Sequence, residues 1–178
     1  VYEYDRTQAA PLSQALRKYP GIAFEGHSTD YQTPERLREM AQDGIVILKV
    51  GPALTFAKRE ALYALSALER ELVFQAVPEV LDRAMLADPR HWQTYYGGDE
   101  RELALKRRYG LSDRCRYYWP VPEVREAVER LLANLRAVGI PLPLLSQVLP
   151  RQYDRVRAGH LALDPEALVI DRIRDVLR

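Results

Sequence analysis

The sequence has a single cysteine, almost no net charge and no long apolar run, and each shortage excludes a class of protein. Cys115 alone cannot form an internal disulfide or supply a thiolate cluster for structural zinc. The 26 basic residues nearly balance the 25 acidic ones, so no net field draws the chain onto nucleic acid or anionic lipid. No apolar run approaches the roughly 18 residues that span a bilayer. We therefore expect no nucleic-acid or membrane partner, and a reducing, cytoplasmic compartment.

The 178 residues, 47% of them hydrophobic, suffice for one core but are short for two ordinary domains. Apolar periodicity predicts strand–helix alternation up to about residue 75 and helices alone after it. We therefore expect an α/β fold in which residues 1–75 carry strand–helix units and residues 76–178 form a helical layer of the same domain. The predicted strands are residues 1–3, 22–25 and 45–48, the last a β-branched run typical of a strand buried on both faces. The predicted helices are residues 8–18, 34–41, 55–72, 78–86, 88–95, 100–109, 122–138 and 164–177, and residues 97–99 and 140–143 are predicted turns.

Two polar loops follow the second and third predicted strands. The carboxyl ends of neighbouring parallel strands meet at one sheet edge, where α/β proteins place their sites. These side chains offer carboxylates, an imidazole, hydroxyls, an ammonium and a glycine turn that opens a helix, which together suit an anionic, polyhydroxylated ligand. The candidate site residues are Glu25, His27, Ser28, Asp30, Lys49, Gly51 and Thr55.

Several of these candidates have more than one interpretation. His27 is a metal ligand, a general base or a donor to a sugar hydroxyl, or it is an ordinary hydrogen-bonded loop histidine. Lys49 faces a phosphate, pairs with a carboxylate such as Glu25, or forms an imine, and the first two are favoured because no second cation activates it. Backbone N–H groups at Gly51 and the Thr55 hydroxyl suit an anion at a helix N-terminus, although the spacing matches no Walker loop or dinucleotide motif.

Other chemically suggestive residues favour structural roles. Arginines and aromatic residues alternate between residues 107 and 119, a pattern found in nucleic-acid or phosphate sites, but their helical spacing and nearby acids favour packing and ion pairs. His91 and His160 are assigned structural roles, and Cys115 is expected to be an unreactive helix thiol.

Four sequence blocks together resemble the non-catalytic, Z-type subunit of class II D-tagatose-1,6-bisphosphate aldolase, a family also labelled tagatose-6-phosphate kinase. The resemblance extends over nearly the whole chain. The blocks are residues 25–33, 47–57, 112–120 (without Cys115) and 141–147.

The resemblance implies the C-terminal part of a TIM barrel with additional helices. A closed barrel needs at least about 200 residues, so the earlier strands would lie outside this chain. The family implies an accessory role beside a zinc-dependent catalytic subunit that cleaves tagatose 1,6-bisphosphate during galactitol or N-acetylgalactosamine catabolism.

In related class II aldolases, a histidine after the seventh strand binds zinc and glycines or hydroxyls bind phosphate. The resemblance thereby implies that His27 keeps the role of binding zinc or another divalent metal. It also implies that Ser28, Gly51 and Thr55 keep the role of binding phosphate. Gly51 stands where the related loop has asparagine, and that loop's aspartates are absent here. Three alternatives stay open. One is a metal-dependent sugar-phosphate lyase in its own right, and another is a structural or chaperone-like subunit with a vestigial pocket. The most remote is a tagatose-6-phosphate kinase, for which no nucleotide motif is visible.

Overall fold

Helices dominate the computed structural model, which describes residues 2–72 and 77–178. The chain divides into two units, residues 1–53 and residues 54–178. The helices are α1 (Arg6–Leu16), α2 (Pro34–Gln42), α3 (Pro52–Leu72), α4 (Val77–Ala87), α5 (Glu100–Tyr109), α6 (Pro122–Val138), α7 (Leu142–Val148), α8 (Pro150–Arg157) and α9 (Pro165–Arg174). The strands are β1 (Phe24–Gly26) and β2 (Ile45–Leu48), and 3₁₀ turns cover Pro89–His91, Arg114–Tyr118 and Asp175–Leu177.

The first unit is built around the parallel pair β1 and β2, which α2 connects. The register aligns Phe24 with Ile45 and Gly26 with Leu48. Gly26 is required by close packing, because a Cβ there would lie 2.9 Å from Ile45 Cγ2. Thr33 caps α2 by accepting from the Arg36 N–H at 3.2 Å, as the Thr-Pro sequence predicts. These features confirm a strand–helix–strand unit of α/β type.

Two predictions about the strands are wrong. Tyr2 and Glu3 have no strand conformation, and Val1 lies outside the described residues. The described ranges therefore hold two strands rather than three. The β2 strand was expected to be buried on both faces, yet Val46 is 64% exposed and Ile47 is 52% exposed. Successive strand residues point to opposite faces, so each face of β2 carries one exposed residue, while Ile45 and Leu48 are half-buried.

The second unit is helical, and its described residues form two apolar clusters. The larger cluster joins α3, α6, α7 and α9 through fully buried leucines, among them Leu65, Leu131 and Leu168. The smaller one gathers Met85, Trp92 and Tyr118 around α4. Cys115 is fully buried, and burial raises the pKa of its thiol to about 12, which agrees with the expected unreactive cysteine. That residues 1–75 and 76–178 belong to one domain stays a prediction.

The helix predictions after residue 76 are mostly confirmed, with differences where prolines follow one another closely. The Pro141 and Pro143 segment, predicted as a turn, opens α7, and α8 begins at Pro150. Both helices were missed because proline at a first helical position resembles proline in a turn. The predicted helix over residues 88–95 is only a 3₁₀ turn at Pro89–His91.

A buried ion pair connects α3 to the segment after α5. Arg59 and Asp113 are almost fully buried, and Arg59 Nη1 donates to Asp113 Oδ1 at 2.6 Å and to the Gly110 carbonyl at 3.3 Å. Asp113 adopts a left-handed backbone with φ of 48°, which aspartate tolerates better than most residues. The two residues are 54 positions apart in the sequence. Their contact therefore joins two elements that local sequence preferences could not bring together.

Replacing Asp113 with alanine is expected to destabilise the protein by about 3–5 kcal/mol, because it leaves the Arg59 charge buried without its partner. Urea denaturation measures this loss. Glu129→Ala is the matched control, since its pair with Arg125 at 3.8 Å involves side chains that are 66% and 64% exposed. The control is expected to change stability by less than about 0.5 kcal/mol, and equal losses in the two variants would contradict the argument.

Acid is expected to weaken the C-terminal end of the second unit through Asp171. Burial alone would raise the pKa of Asp171, but hydrogen bonds from Arg155, Gln152 and Arg178 outweigh it and lower that pKa. A lowered pKa means a stabilising contribution that is complete above the ordinary value of about 3.9 and is lost as the pH falls through the folded value.

Asp171→Asn should therefore reduce the loss of unfolding free energy as the pH falls from about 4 to about 2. Urea denaturation across that range measures the difference. The exposed Asp154→Asn is the control and should leave the acid dependence unchanged. An identical pH profile for Asp171→Asn and the unmodified protein would disprove the assignment.

Candidate functional site

The two predicted polar loops meet at the carboxyl ends of β1 and β2. The Lys49 N–H donates to the Gly26 carbonyl at 2.9 Å, which extends the parallel ladder one step beyond β2. Thr29 then returns two bonds to the Lys49 carbonyl, from its N–H at 3.1 Å and its hydroxyl at 3.0 Å. The sequence correctly brings these loops together, although it did not identify Thr29 as the residue that joins them.

Glu25 connects the imidazole and the ammonium of the site. Its Oε1 lies 2.8 Å from His27 Nε2 and also forms an ion pair with Lys49 Nζ. The alternative interpretation of Lys49 as the partner of Glu25 is therefore present in the structure. His27 is 71% exposed and Lys49 is 52% exposed, so solvent screens these contacts and leaves both groups accessible to a ligand. Because the Glu25 contact uses Nε2, a ligand on His27 would be held through Nδ1.

Asp30 is buried, and its carboxylate caps the start of α3. Oδ1 accepts from the Gly51 N–H at 2.8 Å and from the Ala53 N–H at 2.9 Å. A carboxylate at this position satisfies helix donors that have no intrahelical acceptor and complements the positive helix end. The sequence predicts a phosphate at the N–H groups around Gly51, but the protein's own carboxylate already accepts from them. Direct ligand contact by Asp30 stays a prediction.

The loop between Gly26 and α2 has an unusual backbone. Ser28 has φ of 56° and Tyr31 has φ of 65°, both in the left-handed region that non-glycine residues seldom adopt. Such conformations persist only where the surrounding contacts impose them, and here Thr29 and Asp30 are buried between the two residues. Ser28 is exposed and directly follows His27 in this loop, so the same backbone conformation positions both residues. Nothing in the sequence marked this strain.

The remaining candidates lie at or beyond the end of the first unit. Gly51 is exposed at the junction between β2 and α3, where a Cβ would meet only Asp30 Oδ2 at 3.9 Å. Thr55 lies in the first turn of α3, within the second unit. A phosphate role for either residue stays a prediction.

Metal binding needs more ligands than the described residues bring together. A catalytic zinc has three protein ligands and a structural zinc has four. Within residues 2–72 and 77–178, no group of three or more histidines, cysteines or acids is placed to hold a metal. His27 and Glu25 form a pair only, so the described residues by themselves do not fit a zinc site.

The arginine and aromatic segment has the structural role that its spacing favours. Arg107 pairs with Asp82 at 2.7 Å, and the Arg114 guanidinium lies 3.5 Å from the centroid of the Tyr95 ring. His91 stacks on Tyr117 with ring centroids 4.8 Å apart. These contacts hold α4, α5 and the 3₁₀ turn together.

Comparison with known proteins identifies the family. The model of the family "D-tagatose-1,6-bisphosphate aldolase subunit GatZ/KbaZ-like" matches residues 1–178. The chain belongs to this family. The resemblance inferred from the four sequence blocks is thereby confirmed.

A solved structure gives the same result. The crystal structure of a probable tagatose 6 phosphate kinase from Sinorhizobium meliloti 1021 matches with a TM-score of 0.94 and 45% sequence identity. The match covers 99% of this chain and 47% of the other, so the chain spans about half the length of that family relative. In the described part of this family member, no helix has the length and apolarity needed to cross a membrane.

Replacing Asp30 with alanine should lower the unfolding free energy by about 1–2 kcal/mol, because two helix donors lose their acceptor. Asp30→Asn keeps a side-chain oxygen and should cost less. Chemical denaturation measures both losses, and amide hydrogen exchange at Gly51 and Ala53 should accelerate most in the alanine variant. Unchanged exchange at these two amides would show that the cap does not stabilise the α3 start.

Proposed function

We propose that the chain is part of a non-catalytic accessory subunit that supports a zinc-dependent tagatose-1,6-bisphosphate aldolase in galactitol or N-acetylgalactosamine catabolism. The family match carries this proposal, since it names an aldolase subunit over the whole chain. The local chemistry is consistent with an accessory role. Glu25 already contacts both His27 and Lys49, so a ligand at either side chain would compete with this carboxylate.

The fold proposed for the longer protein is a TIM barrel, of which this chain supplies the C-terminal part with its additional helices. Two observations support it. The β1 and β2 pair is parallel with a helical crossover, as in a barrel, and both faces of β2 expose apolar side chains that further barrel elements would cover. A relative of about twice the length leaves room for those elements.

In this proposal the loops after β1 and β2 retain a sugar-phosphate site. Lys49 supplies a partly exposed cation, Ser28 supplies a hydroxyl, and Gly51 lies at the exposed turn. Because Asp30 already accepts from the Gly51 and Ala53 amides, the phosphate would depend more on Lys49 and Ser28 than on the start of α3. A divalent metal at His27 stays a prediction and would require ligands from elsewhere.

The alternative is a sugar-phosphate lyase in its own right, favoured by His27 and Lys49 at one sheet edge with Glu25 between them. In such an enzyme Glu25 would orient His27 and hold Lys49 near the phosphate. The kinase label of the crystallised relative is a remote third candidate, because the sequence carries no recognisable nucleotide-phosphate motif.

The deciding experiment measures triose phosphate release from tagatose 1,6-bisphosphate by the polypeptide that carries residues 1–178, alone and titrated into the catalytic subunit. We expect negligible release alone and a saturable rise in the partner's activity. His27→Ala should leave that rise within about twofold, because the chemistry resides in the partner, and the exposed His160→Ala is the matched control.

Substrate cleavage by the isolated polypeptide that a chelator abolishes would overturn the accessory role and support the lyase. In that case His27→Ala should lower the rate by at least about 100-fold while His160→Ala leaves it unchanged. Phosphate transfer from a nucleoside triphosphate to tagatose 6-phosphate, assayed in parallel, would instead support the kinase.

A further inference from the structure

The second unit contains a cavity of about 330 Å³. None of its lining residues belongs to the loops after β1 and β2. It lies among α3, the end of α5, the junction of α7 and α8, and α9. Five of its eight lining residues are aromatic or aliphatic. The lining residues are Phe56, Arg59, Glu60, Tyr63, Tyr109, Val148, Leu149 and Arg172.

Two tyrosines form an aromatic corner in this cavity. The Tyr63 and Tyr109 rings meet edge to face, with centroids 6.1 Å apart and planes at 88°. Tyr109 is 58% exposed, although it lines the cavity beside the buried Leu149. Burial raises the pKa of Tyr63, so its hydroxyl stays protonated at neutral pH and can donate a hydrogen bond. A flat ring entering this corner can stack on one tyrosine and contact the edge of the other.

The charged groups of the cavity are balanced in pairs. Arg59 is paired with Asp113, and Arg172 is paired with Glu60. Asp113 is buried and does not itself line the cavity, but its charge offsets that of Arg59. With Asp113 included, the formal charge of these four groups is zero, so the cavity favours neither a polyanion nor a cation. Glu60 and Arg172 are partly exposed and present an acceptor beside donors. A neutral ligand with both donors and acceptors on its edge satisfies this combination without leaving a charge unpaired.

Size restricts the ligand further. Small-molecule sites measure about 300–1,000 Å³, and this cavity lies at the lower end of that range. It therefore accommodates a ring system rather than a dinucleotide. A sugar bisphosphate is also disfavoured, because several negative charges would face apolar walls without excess positive charge.

We propose that this cavity binds a small, uncharged, planar heteroaromatic ring with donors and acceptors on its edge, the chemistry of the nucleobase of a nucleoside. The site is independent of the proposed accessory role, since none of its residues belongs to the β1 or β2 loops. Ring stacking supplies the affinity, and Glu60 with Arg172 selects rings that carry both donors and acceptors.

Isothermal titration of the intact chain with adenosine and with uridine tests the proposal. We expect measurable binding of both, and Tyr109→Ala should weaken it about tenfold, because one stacking surface is lost. Tyr2→Ala removes a tyrosine that is 96% exposed and lines no part of the cavity, so it should leave binding unchanged. Thermal unfolding checks that each variant is folded.

Glu60→Gln provides a second test should Tyr109→Ala fail to fold. Its side chain is 41% exposed, and the substitution keeps its shape while removing the charged acceptor. Binding of both nucleosides should weaken severalfold, because each base donates through an N–H group. Unchanged affinity in both variants would place the ligand elsewhere and overturn the proposal.

Three matched probes test the charge argument. Benzamide, benzoate and benzamidine share one ring and differ in charge, and benzamide should bind at least as tightly as either ion. Tighter binding of benzoate or benzamidine would overturn the neutral-ligand class. Adenosine and its monophosphate should bind within about threefold of each other, since the ring carries recognition. A much stronger monophosphate, or no nucleoside binding at low millimolar concentration, would also overturn the proposal.

Discussion

The candidate site depends on the hydrogen bonds that the buried Asp30 carboxylate accepts. It lies in the loop after β1 and accepts from the Gly51 and Ala53 amides, so one side chain joins that loop to the end of β2 and the start of α3. Thr29 adds two bonds to the Lys49 carbonyl next to it. These bonds fix the loop after β1 against the segment after β2. The exposed His27, Ser28 and Lys49 side chains are thereby held at one edge of the sheet. The local strain at Ser28 and Tyr31 is tolerated for the same reason.

The same cap changes the expected chemistry of the site. A helix N-terminus after a glycine turn is a common place for a phosphate, but here an internal anion already accepts from it. In the exposed cluster, the Lys49 ammonium is likewise paired with the Glu25 carboxylate, which also contacts His27. An arrangement that neutralises its own charges binds an anion less strongly than an uncompensated one. The helical unit adds a separate, charge-balanced cavity and so a second place for a ligand.

The burial of β2 is a feature that the sequence did not predict correctly. The run Ile45–Leu48 has the composition of a strand buried on both faces, and its strand assignment is correct. Its burial is not a property of the run itself, because it depends on which elements cover Val46 and Ile47. The prediction of full burial is therefore wrong for this chain. The exposed Val46 and Ile47 side chains would be covered by further elements in the proposed larger barrel.

The sequence by itself determined features that act over a few residues. Thr33 and Asp99 cap helices through N–H groups three positions away, and Pro34 and Pro122 begin helices, so local rules suffice to place them. The family is also encoded in contiguous blocks. Tertiary structure alone decided that Asp30 caps α3, that Arg59 meets Asp113, and that Tyr63 and Tyr109 share a cavity. These contacts join residues 21 to 54 positions apart, and only packing brings such distant residues together.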